Sequence, residues 1–421
     1  MIRRLPLVFL LALFAIAPAS ADNWPQWRGL KNDGHSAEKG LPTEWGPDKN
    51  VVWKLEMPGR GSSTPCIWGD RIFLTSMDGD GVSLMCIGTD GKEKWRRKMG
   101  AGKAGYRGPE GDDASASCST DGKHVWANVS NGTLCCYDFD GNPVWEKDLQ
   151  KYGKYNIQFG CHWTPVLYKG RLYLQIMHKN VELVVALEAD TGKELWKVEA
   201  KGAGKKGTES PDTYASAFMW EGEGGPLLIT HGNDTCSAHK LDDGAEVWRV
   251  EELNPPGPDH RAWRFVSSPL VTPKLIAVPT CKGGPVVGIN PVGAKGSIAP
   301  GDASELWRTK YTPDVVSPLL VDDIVYLLKD DALYALDAKT GKEVNKKGLG
   351  AKQIYRGHML AADGKIYIVG REGVGIVVQA GKDLKILATN DLEVKTYASP
   401  AVADGKLYIR TWKHLYCIGT K

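Results

Sequence analysis

Three groups of side chains in this 421-residue chain have types that could do chemistry. The first is a recurring aromatic and cationic set: Arg60; Tyr106 and Arg107; His162 and Trp163; Tyr214; Arg261, Trp263 and Arg264; Tyr355, Arg356 and His358; Lys395 and Tyr397. Such groups stack on planar or sugar-like ligands, and forked Arg contacts hold carboxylates. Arg and Tyr can equally bridge loops and satisfy backbone carbonyls at a rim. The second group is acidic. Asp112, Asp113, Glu209, Asp212 and Asp259 fall in loop-like stretches, but no spacing marks them as a metal set, and solvated loop charge is the default for carboxylates there. No metal site is expected. The third is the adjacent pair Cys135-Cys136. Neighbouring residues on a strand point to opposite faces, which disfavours an S–S bond between them. Nothing matches a phosphate loop, a nucleophile elbow or a zinc site, so no catalytic set is complete.

The elements that position these groups form a repeat. A block ending in Trp four residues after a turn residue recurs as Gly91 to Trp95, Gly141 to Trp145, Gly192 to Trp196, Gly244 to Trp248 and Ala303 to Trp307. Ahead of each turn lies an alternating strand such as Val184-Val185-Ala186-Leu187, so the block reads as a β-hairpin. A second hairpin precedes it, opened by a Ser-Pro-like start: Ser63-Thr64-Pro65, Thr164-Pro165, Ser268-Pro269, Ser317-Pro318 and Ser399-Pro400, with Ser117 and Ser216 opening two more. Gly364-Lys365-Ile366-Tyr367-Ile368 marks a degenerate eighth. Four short strands per unit cannot bury both faces alone, and stacking the units radially covers them.

The reading is therefore an all-β, eight-bladed propeller over residues 51–421, with four antiparallel strands per blade. The unit that ends at Leu415-Tyr416-Cys417-Ile418 lacks a fourth strand, and Val51-Val52-Trp53-Lys54-Leu55 is a fourth strand lacking three. Pairing them closes the ring. Trp53, Trp95, Trp145, Trp196, Trp248 and Trp307 then pack between neighbouring blades as structure. The aromatic and cationic set lies just before successive first strands, and equivalent positions in a ring converge on one axis, at a funnel mouth. Cys86, Cys136 and Cys417 occupy the third place of the strand motif, where other blades carry Ala or Gly, and read as core fillers.

Residues 22–50 read as an extended arm, rich in Trp and Pro, whose aromatics cover part of the ring. Before it, Arg3 and Arg4, the apolar run Leu5 to Ala17 and Ala19-Ser20-Ala21 predict a cleaved signal peptide over 1–21. No apolar run is long enough to span a bilayer, and no Cys closely follows Ala21. A periplasmic or extracellular protein is expected, without a lipoprotein anchor. The chain carries a formal net charge of +3, with both signs dispersed, so nucleic acid is not an expected partner.

The phrases Leu333-Tyr334-Ala335-Leu336-Asp337-Ala338-Lys339-Thr340-Gly341-Lys342-Glu343 and Ala186-Leu187-Glu188-Ala189-Asp190-Thr191-Gly192-Lys193-Glu194-Leu195-Trp196 resemble the repeat of PQQ-like (pyrroloquinoline-quinone-like) propellers. The resemblance runs over about residues 51 to 419 and departs from the pattern at Asn345 and Lys385, which stand where Trp is expected. It implies a propeller fold and leaves two functions open. One is a non-catalytic propeller that binds a protein, a cell-envelope component or a small ligand at its loop-rich face, as an expected monomer without cofactor. The other is a quinoprotein oxidoreductase acting on alcohols or sugars with PQQ and Ca2+, which the resemblance associates with a disulfide between adjacent cysteines. The long segments 99–113, 201–213, 251–262 and 291–304 are where such a propeller carries function.

Overall fold

In each blade the hairpin turn sets the packing of the next contact. Gly192 has φ +69°, a left-handed backbone that an L side chain adopts only with strain, and Trp145 of the preceding blade lies flat over it. The indole N–H of Trp145 donates to the carbonyl of Ala189 in the same turn at 2.8 Å. The arrangement recurs: Trp53 donates to Thr89, Trp95 to Phe139 and Trp196 to Leu241 at 2.8 Å, and Trp307 to Ala338 at 2.9 Å. Each of these five Trp fastens its blade to the next.

A computed structural model describes residues 23–202, 208–254, 263–280 and 282–420 of the chain. The expected signal peptide, Asp259 and Arg261 lie outside them. Eight antiparallel sheets are arranged as blades about one axis. Blades 1 to 4 run from Cys66–Trp68 to Glu93–Ala101, Ser119–Thr120 to Pro143–Asp148, Val166–Tyr168 to Glu194–Glu199, and Phe218–Trp220 to Glu246–Val250. Blades 5 to 7 run from Leu270–Val271 to Glu305–Arg308, Leu319–Val321 to Glu343–Gly348, and Leu360–Ala362 to Ile386–Asp391. Blade 8 takes Ala401–Ala403, Lys406–Arg410 and His414–Ile418 from the C-terminal end, and its outer strand, Val51–Glu56, from the other. Lys54 faces Tyr416 and Leu55 faces Leu415 in that closing pair.

Register explains the small residue at the third place of each motif. Cys86, Cys136, Ala186, Ala238, Gly288 and Cys417 stand directly across from Trp95, Trp145, Trp196, Trp248, Trp307 and Trp53. A Cβ on Gly288 would come within 2.3 Å of the Trp307 ring, so glycine alone fits beneath that indole, where the other blades admit Ala or Cys. Cys135 packs into the core between blades 1 and 2 and Cys136 into that between blades 2 and 3, both as free thiols. Burial pushes both thiols up, Cys136 to about 12.

Three departures from the repeat have local causes. Asn345 keeps the inter-blade bond without an indole, donating to the carbonyl of Lys382 at 2.6 Å. In blade 7 the residue in the Trp register is Ala388, opposite Val377, and not Lys385 as the spacing suggested, because the intervening turn is longer. Trp248 is fully buried with its indole N–H unpartnered: the long link in blade 5 sends Gly296–Ile298 back along Glu246–Val250 as a parallel fifth strand. The segment 291–304 thus lies partly along an outer edge.

The arm does more than cover the ring: it fills the axial channel. Trp24 exchanges backbone hydrogen bonds with Ile67 at 2.9 and 2.8 Å on blade 1, and Pro25 accepts from the Thr120 N–H at 2.8 Å on blade 2. Trp27 meets Phe218 of blade 4 and, edge-on at 4.7 Å, His358 before blade 7. Arg28 donates to the carbonyl of Pro318 at 2.8 Å, and His35–Ser36 then pairs in parallel with blade 7. Trp45 packs on Tyr367 as the chain leaves toward Val51. One stretch of chain therefore touches blades on all sides of the axis. No helix among the described residues is long and apolar enough to cross a membrane.

Candidate functional site

The Ser-Pro-like starts, written in sequence as turn signals, form a closed ring around the axis. The N–H of Thr64 donates to Ser117 Oγ, that of Ser117 to Thr164 Oγ1, that of Thr164 to Ser216 Oγ, and that of Ser216 to Ser268 Oγ, at 3.0, 3.2, 3.0 and 3.1 Å. Ser268 continues to Ser317 Oγ at 2.9 Å, Ser317 to His358 Nδ1 at 2.8 Å, His358 to Ser399 Oγ at 2.9 Å, and Ser399 back to Thr64 Oγ1 at 3.2 Å. Each blade contributes one member, and the eighth bond returns to the first. In blade 7 His358 takes the place of the hydroxyl. Because its Nδ1 accepts, its proton sits on Nε2; burial and the nearby Arg28 charge hold it well below the usual histidine range, so the ring is neutral.

Above this ring opens an axial cavity, with about 130 Å³ accessible to the centres of water molecules. Trp27 of the arm is its floor. One wall carries Phe159, His162, Tyr214 and Arg264, and the other carries Glu110, Arg356 and Tyr397. Tyr214 meets Phe159 and His162 edge-on at 5.7 and 5.4 Å, and the Arg264 guanidinium lies 4.7 Å from the Phe159 ring centre. His162 Nε2 is 2.9 Å from the Phe159 carbonyl, and burial lowers its pKa. The segment 99–113 folds a hairpin, Ala104–Arg107 with Glu110–Asp112, over the mouth. Its Glu110 reaches Arg356 at 2.5 Å, 246 residues away in sequence.

Of the aromatic and cationic set, the structure brings His162, Tyr214, Arg264, Arg356, His358 and Tyr397 to the cavity wall. The others are placed elsewhere. Arg60 donates to the carbonyls of Pro109 and Gly111 at 2.9 Å and pairs with Asp112, bracing the hairpin. Tyr106 donates to Asp113 at 2.5 Å beside a second, more open cavity. Arg107 is exposed, 3.8 Å from Glu209. Trp163 is core, and Tyr355 is buried with its hydroxyl on Asp331 at 2.8 Å. Trp263 sits at the edge of the blade 4–5 core, and Lys395 is exposed near Trp412. The funnel is also less cationic than its residue types suggested, since Arg264 is paired with Glu209 at 2.6 Å and Arg356 with Glu110.

Sequence reasoning did not assign Trp27, Phe159, Glu110 and the ring hydroxyls to the site. The hydroxyls had a signal: Ser or Thr recurs at one offset before successive first strands. Trp27 had none, because its place depends on the path of the arm.

Among the described acidic residues, Asp112 and Asp113 are engaged locally, while both carboxylate oxygens of the buried Asp212 lack a hydrogen-bond partner. Asp112 accepts from Ser62 and Ser115 and pairs with Arg60; Asp113 accepts from Tyr106 and the Lys103 N–H. Burial raises Asp113 and pushes Asp212 up to about 6, with Lys179 3.6 Å from it opposing. Calcium takes about six to eight oxygens. Among the described residues the cavity lining offers one carboxylate, Glu110, already engaged by Arg356, so these residues do not fit a calcium–PQQ seat. Cys135 and Cys136 face away into two separate cores. The one possible cluster of metal-ligand type among the described residues, Asp121, His124 and Asp190, lies away from the cavity on the turn side of blades 2 and 3.

Eight four-stranded blades closed by both chain ends, with repeat phrases of this kind, define a PQQ-like β-propeller. The chain belongs to the family described as outer membrane protein assembly factor BamB, whose model matches in overlapping registers over 38–151, 89–214, 130–296 and 232–345. No curated protein matches the chain in sequence. Among solved structures, BamB from Moraxella catarrhalis is 12% identical with a TM-score of 0.62, covering 88% of this chain and 97% of its own. Quinohemoprotein alcohol dehydrogenase from Comamonas testosteroni is 12% identical with a TM-score of 0.66, covering 95% and 81%. A europium-containing methanol dehydrogenase is 13% identical with a TM-score of 0.64, covering 92% and 89%. At these identities the likeness is one of fold.

Proposed function

We propose that this protein is an exported, non-catalytic propeller, monomeric and free of PQQ, that holds a small ligand in its axial pocket. The observation that carries the reading is how the pocket's reactive side chains are engaged. The ring hydroxyls accept backbone N–H bonds, His358 Nδ1 does the same, and His162 is held to a backbone carbonyl, so neither histidine ring of the pocket has a side-chain hydroxyl or thiol as its partner among the described residues. The arm closes the channel beneath, which makes a blind pocket suited to holding a molecule. Membership in a family described by an outer-membrane assembly factor supports a place in the cell envelope.

The test is spectroscopic. Purified mature protein is mixed with PQQ and Ca2+, and alcohols or sugars are offered with a redox dye. We expect no cofactor band carried through gel filtration and no dye reduction. Retained absorbance with dye reduction would overturn the proposal in favour of a quinoprotein oxidoreductase.

A further inference from the structure

The pocket's hydrogen-bonding ledger is one-sided. Six of the seven ring hydroxyls line it, and each oxygen accepts a neighbour's N–H, yet none of the seven donates to a protein acceptor among the described residues. His358 presents Nε2–H, because Nδ1 is occupied. The Tyr397 hydroxyl, buried against the wall, has no partner. Arg264 and Arg356 each spend one nitrogen on a carboxylate. Opposing all these donors, the lining offers the single carboxylate of Glu110.

Charge tilts the same way. Arg28, next to the floor residue Trp27, is 2% exposed; its Nη2 donates to the carbonyls of Asp33 and Pro318, while Nε and Nη1 have no partner. A buried, under-partnered guanidinium beneath the floor sets a positive potential under the ring, and His358 registers that charge. Arg264 and Arg356 are ion-paired with Glu209 and Glu110, whereas Arg28 makes no ion pair among the described residues and is offset only in part by the more distant charge of Asp33, so it leaves the excess.

Resting on the reading of the pocket as a ligand site, we propose that its ligand is a small, oxygen-rich organic carboxylate. A sugar acid and a non-sugar polycarboxylate share this chemistry: many acceptors for the convergent O–H and N–H donors, and a negative charge that answers Arg28. The pocket's water-accessible volume is room for on the order of ten waters, the size of one such molecule.

Isothermal titration of the mature chain with galacturonate, citrate and galactose tests this. Galactose is the neutral counterpart of galacturonate. We expect at least one acid to bind, and galactose to bind at least about tenfold more weakly than galacturonate, or not at all, since charged hydrogen bonds carry most of the difference. Binding by galacturonate assigns a sugar acid, and binding by citrate alone a non-sugar acid. Tyr397→Phe removes an unpartnered buried hydroxyl; it should keep or raise the melting temperature while weakening the acid by about three- to tenfold, one neutral hydrogen bond. Arg264→Gln should weaken it by about ten- to a hundredfold. Equal binding of galactose overturns the anionic class and leaves the ligand-binding reading standing. Failure of both acids to bind at millimolar concentration also overturns the class, whereas dye reduction with PQQ removes the reading beneath it.

Discussion

The contact between each Trp and the next blade's turn can be tested by adding one methyl group. Replacing Gly192 by Ala places a Cβ 2.8 Å from two carbons of the Trp145 ring, at a φ of +69°. Gly170→Ala is the control: its φ is +75°, and a Cβ there meets nothing within 4 Å. Left-handed strain costs both variants about 1–2 kcal/mol, offset by about 0.4–1 kcal/mol from stiffening the unfolded chain. Gly192→Ala also overpacks the indole, at about 1–3 kcal/mol, and displaces its bond to Ala189, at about 1 kcal/mol. Gly192→Ala should therefore lose about 2–4 kcal/mol more than Gly170→Ala in urea unfolding followed by circular dichroism. In a Trp145→Ala background the gap should shrink to near zero, because the clash has no partner. Equal losses in the two single variants, or a gap that survives without the indole, would refute inter-blade docking through this Trp.

Other consequences follow from the same geometry. Burial lowers His178 and His231 to about 4, so they stay neutral in the fold while the unfolded chain binds protons below about 6.5; stability falls as pH drops from 6.5 toward 4, by about 2 kcal/mol per histidine at pH 5, and a melting temperature flat over that range would contradict it. Asp212, raised to about 6 by burial, acts in the opposite sense and offsets about one histidine, so Asp212→Asn should steepen the acid loss. Ser268→Ala strands the buried N–H of Ser216 in the ring and should cost about 1–3 kcal/mol, read as a lowered urea midpoint. Deleting residues 51–56 opens blade 8 along His414–Ile418, and the shortened protein is expected to aggregate or melt early; an unchanged melting temperature would count against closure.

What the sequence determined was local and periodic. The Trp four residues after a turn Gly, the small third residue and the Ser-Pro-like start each repeat with the blade, and periodicity alone gave the blade count and the pairing of Val51–Glu56 with the C-terminal strand. The blade 7 register escaped it, because a longer turn moved the Trp position to Ala388. For the site, the repeat pointed to the segments before successive first strands, of which His162, Tyr214, Arg264, Arg356, His358 and Tyr397 reach the cavity while Arg60, Tyr106, Arg107, Trp163, Trp263, Tyr355 and Lys395 do not. It could not tell which of the cations would find a carboxylate, because Arg356 and Glu110 meet across 246 residues and the mouth of a ring. The course of the arm was equally invisible: Trp27 becomes a floor only because eight blades leave a channel that a Trp-rich, Pro-rich segment can fill. A repeating sequence specifies its wedge, since each wedge is held by neighbours in the chain. The axis belongs to no wedge, so what gathers there is decided only when the ring closes.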